Sequence, residues 1–206
     1  CDLARRGLFG QINVSFDGVG KTYELVRGFD GFATADETLR ALLRVFPDVG
    51  INTVLTRVGF PQLAELFDHA KRRGASEMEL LRLKPAGRGA SPKTYEALRC
   101  TDEQHRGLVE TVLSLTRTYG LRTRLDCSLV PFVAHKQFDA KLLRFLSIYG
   151  CAGGDLLTAA RADGRLSACS FAVPTAEKVT DLRRHFADPA AFPPFRAYLQ
   201  ADEPCR

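Results

Sequence analysis

Four strand-like runs, each followed by a helical pattern, constrain this chain more than any other feature. In Gln11–Asp17, Ile12, Val14 and Phe16 alternate with Asn13, Ser15 and Asp17, the period of a half-buried strand. Loop and a short helix fill residues 19–33. Thr34-Ala35-Asp36-Glu37 has the form of a capping box, and the helix predicted after it carries Leu39, Leu42, Leu43 and Phe46 on one face until Pro47 and Gly50. Ile51–Arg57 is a β-branched strand; Pro61 then opens a helix over Gln62–Arg73 with Leu63, Leu66, Phe67 and Ala70 as its apolar stripe and Gly74 as its stop. Glu77–Leu83 is a third strand, closed by the loop from Lys84 to Gly89. Thr101 or Asp102 caps a helix to Tyr119, Gly120 ends it, Leu121–Val130 is a fourth strand, and Phe138–Tyr149 is helical again.

Each unit takes roughly 35 residues, the rhythm of βα repeats on a parallel sheet. Four units cannot close an eight-stranded barrel. The carboxyl ends of parallel strands are where such folds place their chemistry, and here those ends carry Ser15, Asp17, Thr56, Arg57, Lys84, Asp126 and Cys127.

The tail follows a different pattern. Leu156–Ala160 and Leu166–Phe171 flank Ala162-Asp163-Gly164-Arg165, and Asp-Gly between strand-like runs signals a hairpin. A hairpin draws its ends together, so Cys151 and Cys169 are predicted to be close, as a disulfide, a metal site or two packed thiols. The six cysteines are widely spaced, no export signal precedes them and no Cys-x2-Cys pair occurs, so a disulfide framework and a zinc ribbon are both poor fits. His105 and His135 read as surface or capping residues, and Cys100 as structural. At 45% hydrophobic and 26% charged the composition is that of a globular protein, with no apolar run of membrane-spanning length and a cytoplasmic setting expected. The net charge of +5 is interspersed with acids, and the blocks Lys71-Arg72-Arg73 and Arg183-Arg184 read as solvated faces. Basic residues are not interleaved with aromatics, so neither a nucleic acid nor a membrane is an expected partner.

VSFDG at 14–18, VRGFDGF at 26–32, INTVLTR at 51–57 and LLRLKPAGRG at 80–89, in that order, resemble the later half of a radical S-adenosylmethionine barrel. Cys151, twelve residues, Gly164, four residues and Cys169 are similar to the opening of the SPASM extension that follows this barrel and binds auxiliary [4Fe–4S] clusters. The fold this implies is α/β: a partial parallel (β/α) barrel, then a small cysteine-bearing hairpin. Residues 1–130 would be the later barrel, and residues 131–206 a helical linker with a truncated SPASM-like domain.

The resemblance also implies a function. Such enzymes cleave S-adenosylmethionine to a 5′-deoxyadenosyl radical that takes hydrogen from a substrate, here a peptide or protein, with electrons from a flavodoxin or ferredoxin. Ser15 and Asp17 in the SxDG segment, Arg27, Thr56, and the backbone of Leu83 and Pro85 are the implied cofactor-binding positions; Arg27 suits the cofactor carboxylate because a guanidinium is a planar fork of donors. Cys151, Cys169 and Cys205 are the implied metal ligands, with Cys127 a further candidate and Asp126 the candidate catalytic residue. The catalytic assignment is otherwise open.

Three departures accompany the likeness. The defining Cys-x3-Cys-x2-Cys triplet does not occur. Cys205 stands where the next SPASM cysteines begin, one residue before the last; with Cys1 in place of Met this predicts a fragment, inactive alone. Ser170 stands where the sulfatase-maturing branch has an Asp base, which favours another peptide modification. Two other classes compete: a non-catalytic peptide-binding module, and a small zinc protein built on Cys151, Cys169 and Cys205.

Overall fold

The computed structural model describes residues 10–133, 138–148, 150–154, 157–176, 178–179, 181, 183 and 187–188. Strands β1 (Ile12–Ser15), β2 (Val49–Leu55), β3 (Glu77–Arg82) and β4 (Arg122–Leu125) form one sheet in sequence order, and every neighbouring pair is parallel. Helices α1 (Lys21–Arg27) and α2 (Phe32–Leu43) join β1 to β2, and α3 (Leu63–Arg73) joins β2 to β3. Three helices, α4 (Pro92–Leu98), α5 (Asp102–Arg106) and α6 (Leu108–Tyr119), join β3 to β4; α7 (Val130–Val133) and α8 (Ala140–Phe145) follow. The protein is α/β with a parallel sheet, as the strand–helix rhythm predicts.

The two faces of the sheet differ because side chains alternate along a strand. The register places Val14 beside Ile51, Ile51 beside Met78 and Leu80 beside Leu125. This apolar row packs, Val14 half-buried and the rest buried, with Leu39 of α2, Leu66 and Phe67 of α3, and Leu108 and Val112 of α6. The other row is polar: Asn13 beside Gly50, Asn52 beside Glu79, Glu77 beside Arg122 and Glu79 beside Arg124. Glu77, nearly buried, takes Arg122 at 2.8 Å and Arg124 at 3.2 Å, and Glu79 takes Arg124 at 3.1 Å. Asn13 donates to Glu79 and Gln11 to Glu77. Opposite charges across neighbouring strands hold one register, since a one-residue slip would send every charge to the apolar side.

Helix ends follow the expected chemistry in part. Gly74 and Gly120 end α3 and α6 in the left-handed conformation. Thr101 caps α5 in a capping box closed by Gln104. The box expected at Thr34 does not form: α2 begins two residues earlier at Phe32, because that ring packs edge-on against Phe16 and Tyr23. Gly50 is a strand residue rather than a stop, and the single helix expected to Tyr119 is divided at Gly107 into α5 and α6. The strand expected over Leu121–Val130 is only β4; after it Asp126 bonds back to Leu80 and the chain turns into a 3-10 segment at Cys127–Leu129.

The chain divides into two compact units, one ending at Ile148 and one following it. The boundary drawn from sequence after residue 130 differs, because Val133 and Leu146 are buried in the core of the first unit. In the second unit β5 (Ala159–Ala160) and β6 (Leu166–Ser167) pair antiparallel, and Leu166, Ala168 and Ala172 form a small core. The hairpin is present but shorter than expected: Arg161 and Arg165 close the loop, with Gly164 at φ 84°. Leu156 and Cys205 lie outside the described residues. Among the described residues no helix is long and apolar enough to cross a membrane.

Candidate functional site

Because all four strands run the same way, their carboxyl ends share one edge of the sheet. Asp17 sits there two residues past β1, 4% exposed. Its Oδ1 accepts a hydrogen bond from the Val54 amide at 2.7 Å, and its Oδ2 pairs with Arg27 Nε at 2.6 Å. The turn that delivers Arg27 depends on Gly18, at φ 141°, where a Cβ would lie 2.7 Å from Thr22 Cγ2. α1 then runs one short stretch and ends on Arg27. The Arg88 guanidinium, from the loop after β3, donates to the Arg27 carbonyl. Burial pushes the Asp17 carboxyl above its ordinary range, and the Val54 amide with the Arg27 and Arg88 guanidiniums pull it only part of the way back.

A second carboxylate stands at the end of β4. Asp126 pairs with Lys84 Nζ at 2.9 Å, and accepts from the Ser128 hydroxyl and, at 3.4 Å, from the Cys127 thiol. Burial works against its charge, but the Ser128 hydrogen bond, Lys84 and the Cys127 contact together outweigh it, so its carboxyl lies below the ordinary range. The carboxyl edge of the sheet thus holds two carboxylates shifted in opposite directions, one after each outer strand.

The other sequence candidates divide by exposure. Ser15, half-buried, ends β1 on the polar face beside Asn52. Leu83 is half-buried and Pro85 exposed, so the backbone leaving β3 rises from the sheet into solvent. Thr56 is fully buried, and its hydroxyl accepts from the Gly59 amide at 3.0 Å, which commits it to the turn. Arg57 serves the covering loop: its guanidinium donates to the Glu96 carbonyl, and its own carbonyl accepts from Gln104. Arg27 is the residue that the resemblance gives to a cofactor carboxylate. Its Nε edge is instead held by Asp17.

Sequence reasoning missed three participants. Arg88 acts through a contact that only the fold creates, and Ser128 through a hydroxyl two residues along from Asp126. His105, which reads as a surface or capping residue, is half-buried in the last turn of α5, and its ring stacks on Phe132, centroids 3.9 Å apart and planes at 22°. His135 lies outside the described residues.

None of the described cysteines is in a disulfide. Cys100 is buried, which pushes its thiol up to about 11, with Arg57 opposing the shift. Cys151 is exposed and Cys169 half-buried. The Gly153 amide lies 3.4 Å from Cys151 Sγ, and a Cβ on Gly153 would sit 3.3 Å from that sulfur and 3.5 Å from the Ala168 carbonyl, next to Cys169. Backbone without a side chain therefore separates the two cysteine segments. Two thiols fall short of the four that a [4Fe–4S] cluster takes. Among the described residues no group of three or more His, Cys, Asp or Glu side chains is placed to hold a metal. At the sheet edge Ser15 offers a hydroxyl and residues 83–85 an emerging backbone. Comparison of the chain with models of known families, with characterised proteins and with solved structures finds no match.

Proposed function

We propose that this chain is the later part of a radical S-adenosylmethionine barrel with the start of a SPASM extension. The enzyme it belongs to would use the cofactor, with reducing equivalents from a flavodoxin or ferredoxin in the cytoplasm, to take hydrogen from a peptide or protein substrate. The single observation that carries the reading is positional. The parallel βα order puts VSFDG, VRG and LKP at one sheet edge, and a hairpin flanked by Cys151 and Cys169 follows in the next unit.

In this reading Ser15 donates or accepts at the sugar or amino-acid portion of the cofactor. The backbone of Leu83 to Pro85 brackets its flat base, with Pro85 narrowing the conformations of that loop. Asp17 orients Arg27 rather than touching the cofactor, and Thr56 shapes the turn behind them. Cys151 and Cys169 would contribute two thiolates to an auxiliary cluster whose remaining ligands lie elsewhere.

The test is a titration of S-adenosylmethionine into the 15N-labelled chain. Amide shifts centred on Ser15, Leu83, Lys84 and Ala86, weakened in a Ser15→Ala variant, support the reading. A chain whose spectrum is unchanged at millimolar cofactor overturns it.

A further inference from the structure

His105 is the wall between two spaces. On its outer side a shallow cleft of about 200 Å³ is lined by Asp102, Arg106, Pro131 and Phe132. On its inner side a cavity of about 10 Å³, room for one water, is lined by Arg82, Leu83, Arg99 and Cys100 among others. The imidazole therefore stands between solvent and the point where β3 leaves the sheet. It is held firmly there. Thr101 and Gln104 cap each other, and Gln104 Nε2 donates to the Arg57 carbonyl at 3.0 Å, which ties α5 to the end of β2. Phe132 is shared: His105 stacks on it, and the Arg82 guanidinium lies 4.7 Å from its centroid.

This arrangement suits a neutral ring. The charged groups around His105 are Asp102 and Arg106 on its own helix, Arg99 in the segment before that helix, and Arg82 on β3; Phe132 and Pro131 of α7 carry no charge. An imidazolium here would be a further cation beside Arg82, which contacts the same ring, and Arg99, itself paired with Glu96, with Asp102 as the acid that favours it. Burial first, then Arg82 and Arg99, hold its proton affinity below the ordinary histidine range.

We propose that His105, as a neutral ring stacked on Phe132, is a positioning residue for the Leu83–Pro85 segment, and that its protonation loosens this segment and weakens whatever binds there. The assignment of a ligand to the segment rests on the cofactor reading above; the positioning itself does not. Below the titration of His105 the stack is strained by repulsion from Arg82, Phe132 shifts, and the chain leaving β3 loses its backing.

Hydrogen exchange of the Ala86 and Gly89 amides tests this in the full chain. These donate to Lys84 and Ala86 carbonyls within the loop. Rates corrected for intrinsic exchange are compared over a series from pH 7.5 to 4.5, which extends well below the ordinary histidine range, in the wild type, His105→Phe and His105→Ala. The wild type is expected to lose protection about three- to tenfold on acidification, the worth of one aromatic pair. His105→Phe keeps the ring without the proton, so its protection stays high throughout the series. His105→Ala is poorly protected throughout. A wild type that is flat with pH, or a His105→Phe variant that acidifies like the wild type, overturns the proposal. Affinity for S-adenosylmethionine, measured on the same samples, separates the two readings. Exchange that follows the pattern in a chain that does not bind the cofactor refutes the cofactor reading and keeps the positioning role. Binding with pH-independent exchange does the reverse.

Discussion

At the scale of single residues, Asp17 and Asp126 show how alike carboxylates become different reagents. Asp17 lies in a closed space with one amide and one guanidinium; Asp126 has an ammonium, a hydroxyl and a thiol. The stability consequences have opposite signs. The folded pKa of Asp17 is raised, so its contribution is fully present below the unfolded value of 3.8 and is lost as pH rises through the folded value. That of Asp126 is lowered, so its contribution is present above 3.8 and is lost as pH falls through the folded value. Urea midpoints measured from pH 3 upward should therefore respond in opposite senses to Asp17→Asn and Asp126→Asn: the first removes a loss on the alkaline side of 3.8, the second removes a loss on the acid side. Asp17→Ala is expected to cost about 2–4 kcal/mol, because it leaves the Val54 amide and the Arg27 guanidinium unpartnered. Asp17→Asn should cost less, since its carboxamide oxygen still accepts from Val54. Equal losses in the two variants would show that the acceptor at this position does not matter.

A buried histidine extends this logic away from the sheet edge. His69 of α3 is 8% exposed, its ring lies 5.4 Å from Phe16 and 5.2 Å from Phe32, and its Nε2 is 3.1 Å from Asp36, which Arg73 grips through both oxygens. Burial lowers its pKa despite Asp36. Its contribution is therefore present above the unfolded value of 6.5 and is lost as pH falls. The side chains of Asp36, His69 and Arg73 were invisible as a group in the sequence. Asp36 reads as part of a helix cap, a reading that the packing of α2 against α3 through Phe32 overrides. The run Lys71-Arg72-Arg73 is exposed, as a solvated face should be, and Arg73 still reaches back to Asp36.

At the scale of elements, the polar row of the sheet makes the strictest demand. Gly50 is a strand residue because Asn13 lies over it: a Cβ there would be 2.4 Å from Asn13 Oδ1 and 3.2 Å from the Glu77 carbonyl. The Asn13 side chain can turn aside, but the Glu77 backbone belongs to β3 and cannot. Gly50→Ala is therefore expected to destabilise the first unit by about 1–3 kcal/mol, the range of an overpacked site, visible as a lowered melting temperature. An unchanged melting temperature would mean that the β1–β2–β3 spacing is slack. Element types were legible from the sequence because period two and period 3.6 leave different imprints. Element ends were less so. β4 stops at Leu125 because Asp126 turns to meet Lys84, a contact across 42 positions that no local pattern encodes. The helix α4 was missed because its seven residues, led by Ser91 and Pro92, sit in a run that reads as loop.

At the scale of the whole molecule, the chain buries two separate cores, one around Phe16, Phe67 and Leu80 and a small one of Leu166, Ala168 and Ala172. The cysteines report on both. Cys100 belongs to the first core and has its thiol pushed up to about 11, so at pH 8 its alkylation should be on the order of a hundredfold slower than that of an ordinary thiol with a pKa near 8.5. Cys151 is exposed and should react fastest, with Cys169, half-buried against the second core, between them. Ala168 is completely buried, and a charge there has no partner, so Ala168→Asp should open the small core. The expected result, by mass spectrometry of timed alkylation, is that Cys169 in this variant approaches the rate of Cys151 while Cys100 stays slow. If Cys100 accelerates in step with Cys169, the two cores unfold as one and the division into units at Ile148 carries no energetic meaning. If neither changes, this small core contributes nothing to the order of the hairpin, and the two cysteine segments are held together by backbone bonds, among them those of Gly154 to Ala168 and Leu157.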